Sequence, residues 1–418
     1  MRNLTFVSII ILVFITVDIY VFQGVKTLTA SFTPVTKKVL YFLYWSLTVI
    51  AVVSFLAAFL IGFEKWNRII RLVLISVLTV SFFTKFFFMF FVLIDDLQRG
   101  IRWVVQKITA WFSSEPVATE NAISRSEFLL KAGVVAASVP LVGMTWGILS
   151  GAHDYRVRRH RIVLKNLPSS FHGLKIVQLS DIHSGSFYNK TAVKGGVEMA
   201  MKEKADVIFF TGDLVNNESS EMKNYLEVFE KIKAPLGVYS TLGNHDYGDY
   251  AQWSSVEAKK ENLRTLMNMH KQMGWDLLMN EHRMLERGGE KLAIIGVENW
   301  GAKGRFPKYG KMKEAYKNTD DASVKLLLSH DPSHWDAQIR KEYSDIDIMF
   351  SGHTHGMQFG IENEFIKWSP VQYMYDQWAG LYKEGDQHLY VNRGFGFIGF
   401  PGRIGMLPEI TVMELVKA

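Results

Sequence analysis

Three long apolar runs near the N-terminus restrict the fold of this 418-residue chain more than any other feature. They cover residues 4–22, 39–63 and 69–94. About 20 residues of α-helix cross the apolar core of a bilayer, so each run is long enough to span a membrane. A cleavable signal peptide is an alternative for the first run only, but no small-residue cleavage site follows it. We therefore predict three retained membrane helices.

A fourth apolar run, residues 128–150, is rich in Gly, Ala and Ser and contains Lys131 and Pro140. Small residues suit close helix packing in membranes, so we predict a fourth span there. Residues 101–112 carry two tryptophans and basic residues at helical spacing, which favours a helix lying in the membrane interface. An ordinary loop helix is the alternative for that segment. Residues 1–152 are thus predicted to form an all-α membrane region.

Two charges lie inside these spans, Asp18 in the first and Lys85 in the third. A charge within the bilayer is costly and is usually paired or functional. If the two spans run in the same direction, the two residues lie at similar depth and are predicted to pair. The alternative is that Lys85 extends its ammonium group to the membrane surface.

The net charge of +6 is unevenly distributed along the chain. Residues 1–150 hold 13 Lys/Arg and 7 Asp/Glu, while acids and bases balance in the remainder. A segment both basic and apolar favours contact with membrane lipids over nucleic acid. Cysteine is absent, which excludes disulfides and thiolate metal sites.

Two features of the sequence concern the side of the membrane that bears the remainder of the chain. Lys and Arg near the span ends are almost equally shared between the two sides. Residues 124–131 resemble a twin-arginine export signal, except that Ser126 replaces the second arginine. We predict a multi-pass cell-membrane protein with its large domain outside the cytoplasm.

From about residue 160 the pattern changes to short apolar strands alternating with helices. Five strands are predicted at residues 174–179, 207–210, 237–241, 324–328 and 346–350. Each is followed by acidic, histidine or asparagine residues: Asp181 and His183, Asp213, Asn244 to Asp246, His330, and His353 and His355. In α/β sheets ligands bind at the carboxyl ends of strands, so these side chains are expected to converge.

The chemistry of this set points to metal ions. A His-x-His pair alone is more often two solvated loop residues than a metal site. Oxygen and imidazole donors without sulfur, however, suit divalent ions such as Mn, Fe or Zn. Two ions about 3.5–4 Å apart can clamp the attacking and leaving oxygens of a displacement at phosphorus. One carboxylate should bridge such a pair, and Asp213 is the natural candidate.

The motifs together resemble the calcineurin-like metallophosphoesterases over residues 160–418. They are Asp181-x-His183, Gly212-Asp213, Gly243-Asn244-His245-Asp246, His330 and Gly352-His353-x-His355. The segments 391–394 and 403–411 are similar to the membrane-bound or exported bacterial subgroup. That subgroup more often has a second glycine where this chain has Met357. The resemblance implies an α/β fold, a four-layer αββα sandwich of two mixed sheets covered by helices.

The resemblance also implies roles for individual residues. Asp181, His183 and His355 would hold one ion, Asn244, His330 and His353 the other, and Asp213 both. His245 would not bind metal but would protonate the leaving oxygen or stabilise charge on phosphorus. Asp246 would orient His245. Asp331 is compatible either with support of the site or with a helix N-terminus at Pro332.

Substrate contacts are less well indicated. Trp300 and Arg305 lie in a segment with basic and aromatic residues, and Arg393 lies in the closing motif. We take these three as candidate substrate-binding residues. The predicted activity is hydrolysis of phosphodiesters or diphosphates, on substrates that include lipid-linked ones. The alternatives are a phosphomonoesterase acting on nucleotides or phosphoproteins, and a non-catalytic metal-binding sensor or scaffold.

Overall fold

The computed structural model describes residues 4–62, 66–112, 126–304 and 306–418. By its internal packing the chain divides into two units, residues 1–146 and 147–418. The regular elements among the described residues of the first unit are all helices, and the second unit is an α/β domain. Each unit has its own apolar core.

Four long helices account for the predicted spans: α1 (Leu4–Leu28), α2 (Pro34–Ala57), α3 (Arg68–Phe112) and α4 (Glu127–Leu149). All four are long and apolar enough to cross a membrane. Residues 101–112 continue α3 instead of forming a separate helix. The charged residues at positions 95–99 interrupt the hydrophobic pattern but not the helix, because Asp, Gln and Arg are tolerated in helix interiors. A five-residue π-helical turn, Ala58–Gly62, follows α2.

Asp18 and Lys85 form the predicted ion pair, with Nζ 2.8 Å from Oδ1. Both side chains are largely buried among α1, α2 and α3. The Thr48 hydroxyl donates to the other Asp18 oxygen. The Lys85 ammonium also lies 4.5 Å from the ring centre of Tyr44. The prediction of pairing is therefore confirmed, and snorkelling of Lys85 is not observed.

Two six-stranded sheets form the α/β unit. The first has the order β1-β14-β2-β3-β4-β5 and the second β12-β13-β9-β8-β7-β6. The strands of the first sheet are β1 (Arg156–Leu164), β2 (Leu174–Leu179), β3 (Val207–Thr211), β4 (Val238–Thr241), β5 (Asp276–Leu277) and β14 (Glu409–Lys417). Those of the second are β6 (Glu281–Arg287), β7 (Glu290–Gly296), β8 (Val324–Leu328), β9 (Ile348–Ser351), β12 (Gly380–Glu384) and β13 (Gln387–Val391). A separate hairpin pairs β10 (Ile361–Glu362) with β11 (Lys367–Trp368).

The α/β unit has four layers, as the resemblance implied. Residues such as Phe209, Leu326 and Phe350 fill the core between the two sheets. The helices of this unit are α5 (Lys190–Lys202), α6 (Leu226–Phe229), α7 (Val256–Gln272), α8 (Met312–Tyr316) and α9 (Arg340–Glu342). The outer cores involve α5, α6 and α7 at the first sheet, and α8 with the turn Trp335–Ile339 at the second.

The inner strands are mutually parallel within each sheet, β2-β3-β4 in the first and β7-β8-β9 in the second. Their carboxyl ends therefore meet at one edge of the sandwich. Between β3 and β4, a 3₁₀ turn (Ser219–Asn224) precedes the short α6. The Glu221 carboxylate accepts the backbone N–H groups of the three residues that precede this turn, Asn216 to Glu218.

We predict that Asp18→Lys or Lys85→Asp alone sharply lowers the yield of folded protein. Either change leaves two like charges in an apolar interior, at a cost of about 2.5–3.5 kcal/mol per charge. The double exchange should restore most of the yield, measured as monodisperse protein after detergent extraction. Exchange of the exposed pair Glu127 and Lys131 is the control and should have little effect. A double exchange as poor as the worse single change would contradict the prediction.

Candidate metal centre

All of the predicted metal-ligand positions lie at one edge of the two sheets. Asp181 and His183 follow β2, Asp213 follows β3, Asn244 and His245 follow β4, His330 follows β8, and His353 and His355 follow β9. Strands β2, β3 and β4 belong to one sheet and β8 and β9 to the other. The candidate centre is thus built across the inner strands of both sheets.

The side chains form two groups of three potential ligands. In one group, His355 Nε2 is 3.2 Å from Asp181 Oδ1 and 3.1 Å from His183 Nε2. The other group consists of Asp213, His330 and His353, and its His330 Nε2 is 3.1 Å from Asp213 Oδ2. Within each group the candidate ligand atoms lie within 4.8 Å of one another.

Asp213 and Asn244 complete the arrangement. Asp213 Oδ2 is also 3.5 Å from His183 Nε2, so its carboxylate lies against both groups. The Asn244 Oδ1 atom is 2.9 Å from Nδ1 of His353. Its amide nitrogen donates to the Tyr250 hydroxyl at 2.9 Å, which directs the amide oxygen towards the second group. The structure therefore brings together all seven side chains that the sequence selected.

The backbone at these positions is strained. Asp181, His183, Asp213, His353 and His355 all have positive φ angles, between 47° and 72°. Non-glycine residues rarely adopt this region, and such strain clusters at functional sites. Met357, where the resembled subgroup has glycine, also has a φ of 53°. The glycine preference of that position thus has a conformational cause.

The electrostatics of the cluster are dominated by its two buried carboxylates. Burial alone would raise the pKa of Asp213, but the imidazoles of His330 and His245 lower it well below its usual value. Burial also opposes protonation of His330, yet Asp213 and Asp181 outweigh it and raise the pKa of His330 to about 10. Burial lowers the pKa values of His183, His353 and His355, which favours the neutral rings that bind metals.

These residues fit a pair of divalent ions. Two carboxylates are almost fully excluded from water, and a buried charge needs a compensating partner. Among the described residues, His330 Nε2 is buried without a hydrogen-bond partner, although it faces Asp213. The donors are oxygen and imidazole nitrogen atoms, as Mn, Fe and Zn ions accept. The cluster thus fits a dinuclear site of the predicted kind.

His245 lies beside this cluster and is oriented differently from our expectation. Its Nδ1 is 2.7 Å from the carbonyl oxygen of Asn216, and its ring is 4.7 Å from that of Tyr250. Asp246, which we expected to orient His245, instead accepts the backbone N–H groups of Asp213, Leu214 and Gly243. The expected His245–Asp246 pairing is therefore wrong. Buried N–H groups need acceptors, and this carboxylate satisfies two from the strained turn at Asp213 and one from Gly243 in the loop after β4.

Tyr375 and Arg403 contact the candidate ligands, and neither was singled out from the sequence. Nε2 of His353 is 3.0 Å from the Tyr375 hydroxyl and 3.7 Å from Asp331 Oδ2, so both fix its ring. Asp331 also accepts the N–H of Ser333, so both suggested roles apply to it. The buried Arg403 guanidinium donates to the carbonyl oxygens of Arg393 and Gly396. Its Nη2 lies 3.1 Å from His355 Nδ1.

The structure does not support all three candidate substrate-binding residues. Arg393 is 2% exposed, and its guanidinium is bound to Glu409 and Glu362 at 2.5 Å each. It is a structural residue, and its assignment as a substrate contact is wrong. The Trp300 ring lies between the His334 ring and the Lys308 ammonium, each 4.3 Å from it. Arg305 lies outside the described residues.

We predict that Asp246→Asn lowers both the melting temperature and the bound metal, whereas His245→Ala preserves both. The amide would direct N–H donors at backbone N–H groups, leaving buried donors unsatisfied at roughly 1–3 kcal/mol. Thermal unfolding and the metal content of the purified protein measure the two effects. The reverse pattern would show that Asp246 acts through His245 and not through the Asp213 turn.

Comparison with known proteins agrees with this geometry. Residues 1–152 match the family described as "Probable Calcineurin-like phosphoesterase, transmembrane domain", and residues 174–357 match "Calcineurin-like phosphoesterase". The Bacillus subtilis metallophosphoesterase YkuE is 30% identical over 302 residues, which are 70% of this chain and 98% of that protein. A Danio rerio "Transmembrane protein with metallophosphoesterase domain" is 29% identical over 309 residues, 72% of this chain and 66% of the relative. The match thus spans just under two thirds of the zebrafish protein.

Similarity to solved structures is more distant. Haemophilus influenzae NAD nucleotidase aligns over 53% of this chain and 45% of its own, with a TM-score of 0.37 and 16% identity. These values carry no information about the substrate of the present chain. The two family matches and the bacterial relative are decisive: the chain belongs to the calcineurin-like metallophosphoesterases and is a membrane-associated phosphoester hydrolase.

Proposed function

We propose that this protein hydrolyses phosphodiesters or diphosphates with two divalent ions and His245. The observation that carries the proposal is the convergence of seven oxygen and nitrogen donors beside an imidazole that is not among them. A metal-binding scaffold has no need of such an imidazole. We assign Asp181, His183 and His355 to one ion, Asn244, His330 and His353 to the other, and Asp213 to both.

The ions, when bound, polarise the phosphate and lower the pKa of water at the site. The chain's own residues place and neutralise the reacting groups. Asp213, against both ligand groups, holds them in fixed relation. Tyr375 and Asp331 hold His353, and Arg403 lies behind His355, so the ligand rings are oriented before substrate enters.

His245 is placed to move a proton. Its Nδ1–H is held by the Asn216 carbonyl, which leaves Nε2 as the atom that receives or donates a proton. We assign Nε2 to protonation of the leaving oxygen. The Tyr250 ring, about half exposed, lies against His245 and offers an apolar surface to the departing group.

The charge around the centre favours a diester or diphosphate over a monoester. A monoester is largely a dianion at neutral pH, and its recognition calls for additional cations. Lys303 is already paired with Asp376, and Arg403 is buried behind His355. We extend the proposal to lipid-linked substrates, because Phe306 packs its ring 5.0 Å from that of His353 in a protein with a membrane region.

We place the catalytic domain outside the cytoplasm on the basis of the export-like segment at residues 124–131, part of which lies outside the described residues. A cysteine at the exposed Lys165, in a chain without natural cysteine, should react with a membrane-impermeant maleimide in intact cells. Reaction only after permeabilisation would place the domain in the cytoplasm.

The activity itself is tested with two chromogenic substrates in Mn²⁺. We expect bis-p-nitrophenyl phosphate to be hydrolysed with a higher kcat/KM than p-nitrophenyl phosphate. His245→Ala should lower kcat by roughly 10²–10⁴-fold, the usual contribution of a general acid, at unchanged metal content. His172→Ala removes an exposed histidine outside the site and is the matched control.

Each other result of this assay has a defined meaning. A preference for the monoester would replace the proposal with a phosphomonoesterase. Metal-loaded protein inactive towards both substrates would favour the sensor or scaffold.

Metal loading should release protons. In the metal-free protein His330 is protonated at pH 8, because carboxylates raise its pKa to about 10, and only its neutral form binds an ion. Titration of Mn²⁺ at pH 8 should therefore release roughly one proton per chain. Affinity should increase with pH up to the pKa of His330. Calorimetry in two buffers of different ionisation enthalpy measures the release, and buffer-independent heats would contradict it.

A further inference from the structure

An apolar surface of the α/β unit contains none of the candidate metal ligands. It is formed by the β10–β11 hairpin and its flanks, and we call it the hairpin face: Phe359, Ile361, Phe365, Ile366, Trp368 and Tyr373. Phe365 at the hairpin tip is 91% exposed, and Tyr373 is 77% exposed. Contiguous exposed apolar residues of this size mark an interaction surface.

The pairing of the hairpin explains why these residues face outwards. Ile361 pairs with Trp368, and Glu362 pairs with Lys367. Alternate residues of a strand point to opposite faces. Glu362 binds Arg158 and Arg393, so its face is turned to the domain, and the Ile361 face is turned away.

The hairpin face is one continuous surface. The rings of Phe359 and Trp368 are 6.1 Å apart, and the Trp368 indole donates to the Tyr373 hydroxyl at 3.5 Å. Phe359 has extended backbone geometry two residues before Ile361, so the two share a face. Single exposed apolar residues are common on protein surfaces, but these residues form a contiguous patch.

Gly147 and Ile148, the first residues of the α/β unit and the end of the fourth candidate span, lie next to this surface. Ile404 pairs with Phe359 through a β-bridge, and a Cβ added at Gly147 would lie 2.8 Å from its side chain. The Arg403 N–H donates to the carbonyl of Gly147 at 3.1 Å, and Tyr188 donates to that of Ile148. Leu149, at the end of α4, is 75% exposed. One residue, Ile404, thus separates the hairpin face from the end of a helix suited to cross a bilayer.

We propose that the hairpin face lies in the interface of the bilayer that α4 crosses, with Phe365 and Ile366 at the boundary between headgroups and acyl chains. The contacts between Phe359, Ile404 and Gly147 lie within the α/β unit and put this surface beside the residues at which α4 ends. Glu364 in the tip limits the depth, because a carboxylate is costly to remove from water. Aromatic residues such as Trp368 and Tyr373 suit such an interface. The proposal does not depend on the proposed reaction.

The test uses full-length protein in lipid nanodiscs, with one cysteine introduced into the cysteine-free chain. Phe365→Cys is labelled with an environment-sensitive fluorophore, and the nanodiscs contain lipids brominated on the upper acyl chain. Val256→Cys, a 69% exposed apolar position at the start of α7, is the matched control. Because Phe365 is almost fully exposed, its replacement should leave the melting temperature unchanged.

We expect brominated lipid to quench the label at position 365 at least threefold more strongly than the label at position 256, together with a blue-shifted emission. A second reporter, Tyr373→Cys, should be quenched as well. Equal quenching at positions 365 and 256 would overturn the proposal. A blue shift at 365 without quenching by lipid would also overturn it, since the surface would then contact protein, including a second copy of this chain.

Discussion

Burial of two carboxylates, Asp181 and Asp213, at the meeting edge of two sheets is the constraint on which the α/β domain depends. Neither is more than 1% exposed, and each lies within 3.2 Å of an imidazole nitrogen. An uncompensated buried carboxylate would destabilise the fold, so the neighbouring groups must supply positive charge or an ion must do so. The imidazoles compensate the charge of the two buried carboxylates in the absence of metal. The same carboxylates and imidazoles are suitable ligands for divalent ions.

Holding these carboxylates in place requires strained turns, and the surrounding residues stabilise them. Asp246 accepts backbone N–H groups from the Asp213 turn and from Gly243, and Glu221 accepts those of residues 216–218. The Asn216 carbonyl that this second cradle positions is the acceptor for His245. The carboxylate that stabilises this loop therefore also supports the contact made by Nδ1 of His245.

The sequence predicted the site better than its surroundings. The convergence of the seven side chains could be predicted because each follows a recognisable apolar strand and because the set matches the motifs of one family. Contacts between distant segments could not be predicted in this way. The partners of charged residues such as Asp246 and Arg393 depend on the paths of the loops that bring them together. Because Asp246 follows His245 in the sequence, a pair between their side chains was expected. In the fold, the Asp246 carboxylate accepts backbone N–H groups instead. The Asp18–Lys85 pair was predictable because the apolar surroundings leave either charge few alternatives. The separate helix predicted at residues 101–112 is part of α3, since the charges at 95–99 change only the polarity along that helix.

The central claim, that seven side chains hold two ions with Asp213 shared, is tested most directly by metal stoichiometry. Metal content is measured by mass spectrometry on full-length protein and on ligand variants, each checked for folding by thermal unfolding. The account predicts two ions per chain in the unmodified protein, one in His355→Ala, and a loss of both in Asp213→Ala. A folded Asp213→Ala protein that retains two ions, or an unmodified protein that binds only one at saturation, would contradict it.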